Sequence, residues 1–158
     1  LAELVDRILM FLSNKQDSLG RFKPAGRKYL TQADYFEMTN VIRNHKVDSI
    51  WIEVQKKGEH VIKEHESGSK MFILLKGMVQ VHKGGKKLAR LQRGQWFGEM
   101  ALIDDELRSA SVTCLTPTAF VTIERGPLMK LIQKNPETGV KIFHAISKTL
   151  SQRLRKAS

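Results

Sequence analysis

The hydrophobic residues of this chain follow two different periods, and each period predicts its own secondary structure. In residues 1–12 apolar side chains recur every three or four positions, which predicts an amphipathic helix. Residues 13–28 are polar and basic, with several glycine and proline positions, so we expect a linker there. Thr31 is a candidate N-cap with Asp34 three residues later, and a second helix is predicted to run to about Arg43.

Polar and apolar residues alternate from Asp48 onward, and glycine-containing turns interrupt the alternation. Many short strands separated by such turns are typical of an antiparallel sandwich or barrel. The helical period returns in residues 128–133 and again in 137–154. We therefore predict an α+β fold that is mainly β, an antiparallel jelly-roll or β-roll with helices before and after it. The predicted strands are 50–54, 60–62, 71–75, 78–82, 87–91, 111–115 and 120–123.

The composition is ordinary for one folded domain, or for one domain with an extension: 158 residues, 41% of them hydrophobic and 27% charged. The single cysteine, Cys114, excludes an internal disulfide and a cysteine-rich metal site. No apolar run could span a membrane and no secretory signal is present, so the expected location is the cytoplasm. The chain begins with Leu1 rather than methionine, which is consistent with a piece of a longer protein.

The formal net charge is +11, from 27 basic and 16 acidic residues. Such a surplus attracts anionic ligands, nucleic acids or membrane surfaces, but a basic surface also simply aids solubility. Because the basic residues are spread over nearly every segment, we favour the second explanation and expect no specific nucleic-acid partner.

The candidate chemistry lies in residues 97–112, with the sequence FGEMALIDDELRSASV. Gly98 has no Cβ and lets the backbone approach a ligand, and a single helical turn is expected directly after it. Glu99 only accepts hydrogen bonds when it is ionised, which suits sugar hydroxyls. Arg108 presents a planar, permanently charged group that matches two phosphate oxygens, and Ser109 can add a donor. The combination predicts a site for a nucleotide whose phosphate and ribose lie close together.

This segment resembles the phosphate-binding cassette of the cyclic nucleotide-binding domain family, whose pattern is Phe-Gly-Glu-x-Ala-Leu, then a loop, then Arg-x-Ala. The resemblance covers roughly residues 45–155. The matching residues are Gly98, Glu99, Ala101, Leu102, Arg108 and Ala110 within the cassette, Gly58, Glu59, Glu64, Gly68, Gly77 and Gly94 before it, and Ile123, Glu124 and Arg125 after it.

The resemblance implies a 3′,5′-cyclic nucleotide as ligand, cAMP or cGMP with cAMP favoured, and no other cofactor. Glu99 would bind the ribose 2′-hydroxyl and Arg108 the cyclic phosphate. Leu88 would lie beside the base, and Arg153 and Arg155 are candidates to cap it. Further ligand contacts are expected from Gly98, Met100, Ala101, Leu102, Ser109 and Ala110. The serine in this last group does not choose between adenine and guanine.

The resemblance also implies a domain organisation and a mode of signalling. The periodicity and composition assign residues 1–30 to an amphipathic helix with its linker, and the resemblance implies that residues 31–158 contain the cyclic nucleotide-binding domain. Within this domain we expect a β-roll at about 48–125, a hinge helix at about 126–134 and a lid helix at about 137–156. Ligand binding would draw in both helices and so control an effector that the sequence does not identify.

No pattern in the sequence predicts catalysis or a metal site. There is no nucleophile paired with a base at a known spacing and no Walker loop. Asp104, Asp105 and Glu106 lack the spacing of a calcium loop, and the five histidines have no ligand spacing. We therefore predict that the chain is not an enzyme and that its histidines are surface or packing residues.

Two other functions stay open at this point. The chain also resembles the sensor part of catabolite-activator-type transcription regulators, but it ends at Ser158 without a helix-turn-helix. Alternatively, a degenerate pocket could leave an interaction module, with the helix at 1–12 as a candidate surface for a homodimer. The presence of both Glu99 and Arg108 argues against a degenerate pocket.

Overall fold

A computed structural model describes residues 2–12, 15–16, 22–23 and 31–157. The chain folds as two compact units, one formed by Leu1–Lys46 with Met129–Ser158 and the other by Val47–Leu128. The first unit contains mainly helices, and the second contains two larger sheets. The assignment of residues 31–158 to a single domain stays a prediction.

The helical unit is built around an amphipathic first helix, as predicted. Its elements are α1 Ala2–Leu12, the small antiparallel pair β1 Lys15–Gln16 and β2 Phe22–Lys23, α2 Gln32–His45, the end of α3 Arg125–Lys134, and α4 Pro136–Ala157. Ile8 and Phe11 on α1 are fully buried, since they lie on the same helix face. Phe11 packs edge-on against Tyr35 of α2, with ring centroids 5.2 Å apart. The hydroxyl of Thr149 on α4 donates to the carbonyl of Leu12 at 3.1 Å.

Thr31 caps α2, as predicted from the sequence. The N–H of Asp34 donates to Thr31 Oγ1 at 3.3 Å, and the N–H of Thr31 donates to Asp34 Oδ2 at 2.7 Å. The reciprocal pair satisfies two backbone donors that a helix start would otherwise leave without partners. The predicted capping box therefore sets the first residue of this helix.

The second unit is a β-roll of two four-stranded sheets in which every pairing is antiparallel. Its strands are β3 Ile50–Gln55, β4 His60–Ile62, β5 Lys70–Lys76, β6 Met78–Lys83, β7 Lys86–Gln92, β8 Trp96–Phe97, β9 Ser111–Cys114 and β10 Thr118–Glu124. One sheet has the order β3-β10-β5-β8 and the other the order β4-β9-β6-β7. The predicted fold class, a mainly β roll with helices before and after it, is confirmed.

Three aromatic rings form the centre of the β-roll. Phe72 stacks on Phe97 with centroids 5.3 Å apart, and Phe120 meets both rings edge-on at 5.6 and 5.8 Å. Val112 and Cys114 pack in the same buried cluster, as the alternation along β9 requires. Cys114 is thus a buried free cysteine. Phe97, the first residue of the cassette, therefore ties that segment to the core.

Two features differ from the predicted elements. The predicted linker at 13–28 contains the short strands β1 and β2, while its other residues lie outside the described part of the chain. β8 was not predicted, because two residues are too few to show an alternating period. No helix among the described residues combines the length and the apolar composition needed to cross a membrane.

Candidate functional site

The cassette backbone turns at Gly98, between β8 and a 3₁₀ helix at Glu99–Leu102. Gly98 has φ 78°, a left-handed conformation that glycine adopts without the steric cost of a Cβ. A Cβ at this position would lie 3.0 Å from the carbonyl oxygen of Lys70 and 3.2 Å from Arg108 Nη1. The predicted helical turn is this 3₁₀ helix, in which the Ala101 N–H donates to the Gly98 carbonyl at 3.2 Å.

Arg108 is fixed through both its main chain and its side chain. Its N–H donates to the carbonyl of Glu66 at 2.9 Å, and its carbonyl accepts from the N–H of His65 at 2.9 Å. Its guanidinium donates from Nη1 to the carbonyl of Gly98 at 3.2 Å and from Nη2 to the carbonyl of Lys70 at 2.6 Å. The side chain is thus already oriented beside the glycine turn by two carbonyl groups from different segments.

Gly68 lies directly against the guanidinium of Arg108. A Cβ at Gly68 would lie 2.4 Å from Nε and 2.8 Å from both Cζ and Nη2 of the arginine. These distances are far below ordinary carbon–nitrogen contact, so only the absence of a side chain at Gly68 allows the observed position. Two glycines, Gly68 and Gly98, therefore border the same charged group.

The guanidinium keeps donors for a ligand. It has five N–H groups, and two of them donate to carbonyls in the described part of the chain, which leaves three for an anion. Burial lowers the pKa of Arg108 from its ordinary value, while the carboxylate of Glu99 opposes that change. A partly desolvated cation with unused donors attracts an anion more strongly than one in open water.

A cavity of about 350 Å³ lies beside this arginine. The charged residues that line it include Glu99, Asp104 and Arg108. Its apolar part includes Ile62 and Val112, which are direct partners across the β4–β9 pair. The cavity thus offers one cationic position, an acidic position next to it and an apolar wall, which is the combination that a nucleotide requires.

Arg125, the first residue of α3, holds the loop that follows the 3₁₀ helix. Its Nη1 donates to the carbonyl of Asp104 at 2.7 Å, and its Nη2 lies 2.5 Å from a carboxylate oxygen of Asp105. Its N–H donates to the carbonyl of Ser69 at 2.9 Å, next to the glycine that borders Arg108. One residue therefore links the acidic loop of the cassette, through its side chain, to Ser69 behind the guanidinium, through its main chain.

Most of the predicted site residues come together at this cavity. Those that line it are Gly98, Glu99, Met100, Ala101, Arg108, Ser109 and Ala110. Leu102, by contrast, is 2% exposed and belongs to the core rather than to the lining. Arg153 and Arg155 lie on α4 in the other unit; Arg155 is exposed, and the side chain of Arg153 lies outside the described part.

Leu88 is placed elsewhere than the sequence analysis expected. Its side chain is 52% exposed, and it is not among the residues that line the cavity. Leu91 on the same strand packs against the core, and a residue three positions away points to the opposite face of a strand. A bulge in the β6–β7 pairing next to Leu88 leaves it without a direct partner. The apolar wall is instead supplied by Val81, Ile62 and Val112.

Several residues of the site were missed by sequence reasoning. Lys70 contributes only its backbone carbonyl, which no side-chain pattern reveals. Asp104 and Leu107 line the cavity, although the sequence analysis did not include them among the ligand-binding residues. Ile62 could have been found, because the alternation along β4 places it on the same side as the buried cluster.

The sequence of this chain is similar to those of known proteins. The family model described as "Cyclic nucleotide-binding domain" matches residues 52–135. A cGMP-dependent protein kinase of Eimeria tenella is 36% identical over 107 residues, which are 67% of this chain and 11% of the kinase. A cAMP-dependent protein kinase regulatory subunit of Mycosarcoma maydis is 33% identical over 151 residues, 89% of this chain and 28% of that subunit. The chain therefore spans less than a third of the length of these relatives.

Solved structures show the same fold. A cyclic nucleotide-binding domain from Methylobacillus flagellatus superposes with a TM-score of 0.66 at 22% identity, over 98% of this chain and 80% of the other. The catabolite activator protein of Thermus thermophilus gives a TM-score of 0.62 at 25% identity, over 74% of this chain and 55% of that protein.

Proposed function

Because this chain belongs to the cyclic nucleotide-binding domain family, we propose that it is a regulatory domain that binds a 3′,5′-cyclic nucleotide in the cavity beside Arg108. The observation that carries the proposal is the guanidinium itself. It is held by the carbonyls of Gly98 and Lys70, and three of its N–H groups have no acceptor among the described residues. The domain would bind its ligand without a chemical step of its own.

The roles within the site follow from charge and hydrogen-bonding capacity. Arg108 would donate two charge-assisted hydrogen bonds to the exocyclic oxygens of the phosphate. Glu99, on the other side of the glycine turn, would accept from the ribose 2′-hydroxyl. A 3′,5′-cyclic phosphate holds its anion against the ribose, so both contacts are made from one short loop. Ser109 and Ala110 line the cavity next to the arginine and would extend the phosphate shell.

The identity of the base is the open part of this proposal. The sequence analysis favours cAMP, and this stays a prediction. One relative is named for its dependence on cGMP and another for its dependence on cAMP, so both bases need to be tested. The apolar residues that line the cavity support a purine without choosing between adenine and guanine.

The output of the domain is proposed in general terms only. We infer that ligand binding biases the helices α3 and α4 and thereby an effector outside this chain. Such transmission requires that the ligand prefer one arrangement of the helices over another, because equal affinity for both would shift no population. Capping of the base by Arg153 or Arg155, and pairing of two chains through their helices, stay predictions.

The test is isothermal titration calorimetry of the chain with cAMP, cGMP and linear 5′-AMP. We expect saturable binding of a cyclic nucleotide and much weaker binding of the linear one. Arg108→Ala should abolish or strongly weaken the binding, whereas Arg90→Ala on the exposed strand β7 should bind like the parent chain. A folded chain that binds neither cyclic nucleotide would refute the proposal and favour an interaction module.

A further inference from the structure

Two imidazoles converge on one hydroxyl on the sheet β4-β9-β6-β7, on the face opposite the aromatic core. Nδ1 of His60 and Nε2 of His82 each lie 2.8 Å from Oγ1 of Thr113. Val112 and Cys114, the neighbours of this threonine on β9, belong to the buried cluster, so Thr113 points to the other face. We propose that His60 and His82 form a binding site for a divalent transition-metal ion, with the Thr113 hydroxyl as an additional oxygen.

The sheet itself brings the three side chains together. Thr113 is the direct partner of His60 on β4 and of Gln80 on β6, and His82 lies two residues beyond that glutamine. Residues two apart in a strand share a face, so all three side chains lie on one surface of three hydrogen-bonded strands. Folding of the sheet therefore already fixes the backbone of these three residues, so most of the conformational entropy that a metal site must lose is lost before the ion binds.

A shared metal ion would require the two imidazole nitrogens to approach each other by a rotation of the side chains. A metal ion bound to two imidazole nitrogens at about 2.1 Å requires them to lie within about 4.2 Å of each other. The two histidine nitrogens flank the same oxygen, so they are already separated by no more than twice 2.8 Å. His60 is exposed and can rotate to complete the approach. Water would occupy the remaining coordination positions.

The ligand set selects a chemical class of metal. Imidazole nitrogen suits Zn²⁺, Ni²⁺ and Cu²⁺, whereas Mg²⁺ and Ca²⁺ need several oxygen ligands. Within the described residues no group of three or more His, Cys, Asp and Glu side chains surrounds a common point. The site therefore has two nitrogen ligands and no carboxylate. Lys87, the partner of His82 on β7, adds a positive charge that lowers the affinity.

Metal binding at this place would affect the roll as a whole. The ion would join β4 to β6 across β9. Val81 and Val112 lie on β6 and β9 and line the candidate nucleotide cavity from the opposite face. An ion that binds the folded chain and not the unfolded one raises the unfolding temperature by mass action. The proposal does not depend on nucleotide binding.

The test uses the full chain with Ni²⁺ and Zn²⁺ as probes, followed by calorimetry and thermal unfolding, with Mg²⁺ as the negative control. The variants are His60→Ala and His82→Ala, and the matched control is His65→Ala, an exposed histidine paired with Glu64. Unfolding temperatures in EDTA show that each variant folds. We expect saturable Ni²⁺ binding and a raised unfolding temperature in the parent and in His65→Ala.

Each of the two site variants should bind Ni²⁺ at least about tenfold more weakly than the parent. The proposal is overturned if neither Ni²⁺ nor Zn²⁺ changes the unfolding temperature of the parent. It is equally overturned if both single variants bind Ni²⁺ as tightly as the His65→Ala control.

Discussion

The position of the Arg108 guanidinium can be tested without removing its charge, by adding one methyl group at Gly68. The Cβ of Gly68→Ala would lie 2.4 Å from Nε of the arginine, so the guanidinium must retreat by about 1 Å to reach ordinary contact distance. Gly68 does not have a positive φ, so alanine fits its backbone without strain. The substitution therefore acts on the side chain of Arg108 and on little else.

The magnitude follows from the hydrogen bonds that the displaced group would lose. A hydrogen bond to a charged group contributes about 1.5–3 kcal/mol, and a shift of about 1 Å removes at least one of the two bonds proposed to the phosphate. Nucleotide affinity should thus fall by roughly ten- to 150-fold. The unfolding temperature should also fall, because a guanidinium displaced by about 1 Å loses part of its hydrogen bonding to the carbonyls of Gly98 and Lys70.

The assay is calorimetric titration of Gly68→Ala with the cyclic nucleotide that the parent binds, together with thermal unfolding. Gly126→Ala on α3 is the matched control, since a Cβ there has no atom within 4 Å. This control should bind like the parent. If Gly68→Ala is folded and binds within threefold of the parent, the position of the guanidinium between the two glycines does not determine affinity, and the reasoning fails.

Three further predictions concern other parts of the molecule. Arg125→Ala should weaken nucleotide binding by about tenfold with only a small loss of stability, because it releases the loop at Asp104. Calorimetric titration measures the affinity and thermal unfolding the stability, and Arg125→Lys should recover part of the affinity. Thr31→Ala should lower the free energy of unfolding by about 0.5–2 kcal/mol in urea titrations and leave nucleotide affinity unchanged. Burial raises the pKa of the Cys114 thiol, so iodoacetamide at about pH 8.5 should modify it slowly in the folded chain and rapidly in urea. The folded state favours the neutral thiol of Cys114. The contribution of this thiol to the free energy of unfolding should therefore be lost as the pH rises above the ordinary pKa of a thiol.

Local patterns predicted the elements of this fold well, because alternation and helix caps are encoded by neighbouring residues. The capping pair of Thr31 and Asp34 and the strand positions could be recognised within a few residues of sequence. The alternation also predicts which face of each strand is buried. The position of Leu88 shows the error that follows when this prediction is not used. That residue was placed in the site from the family resemblance, although its spacing from Leu91 puts it on the outer face.

The contacts that organise the site are long-range and do not appear in any local pattern. The carbonyl of Lys70 is 38 residues away in the sequence from Arg108, which it orients. The close contact between Gly68 and Arg108, which only a glycine allows, forms only when β5 and the cassette fold together. The meeting of His60 and His82 at Thr113 likewise depends on the pairing of three strands. Sequence spacing alone could not show that these residues meet at one point.

The organisation of Arg108 before any ligand binds has an energetic consequence. A free arginine side chain loses about 2 kcal/mol of rotamer entropy when it is immobilised, and a binding site that orders it only on association must offset that loss. Here the guanidinium already donates to the carbonyls of Gly98 and Lys70. It also lies against Gly68, which has no side chain to displace it. The entropy is therefore lost when the chain folds rather than when the nucleotide binds, so more of the charge-assisted bonding at the phosphate is available as affinity.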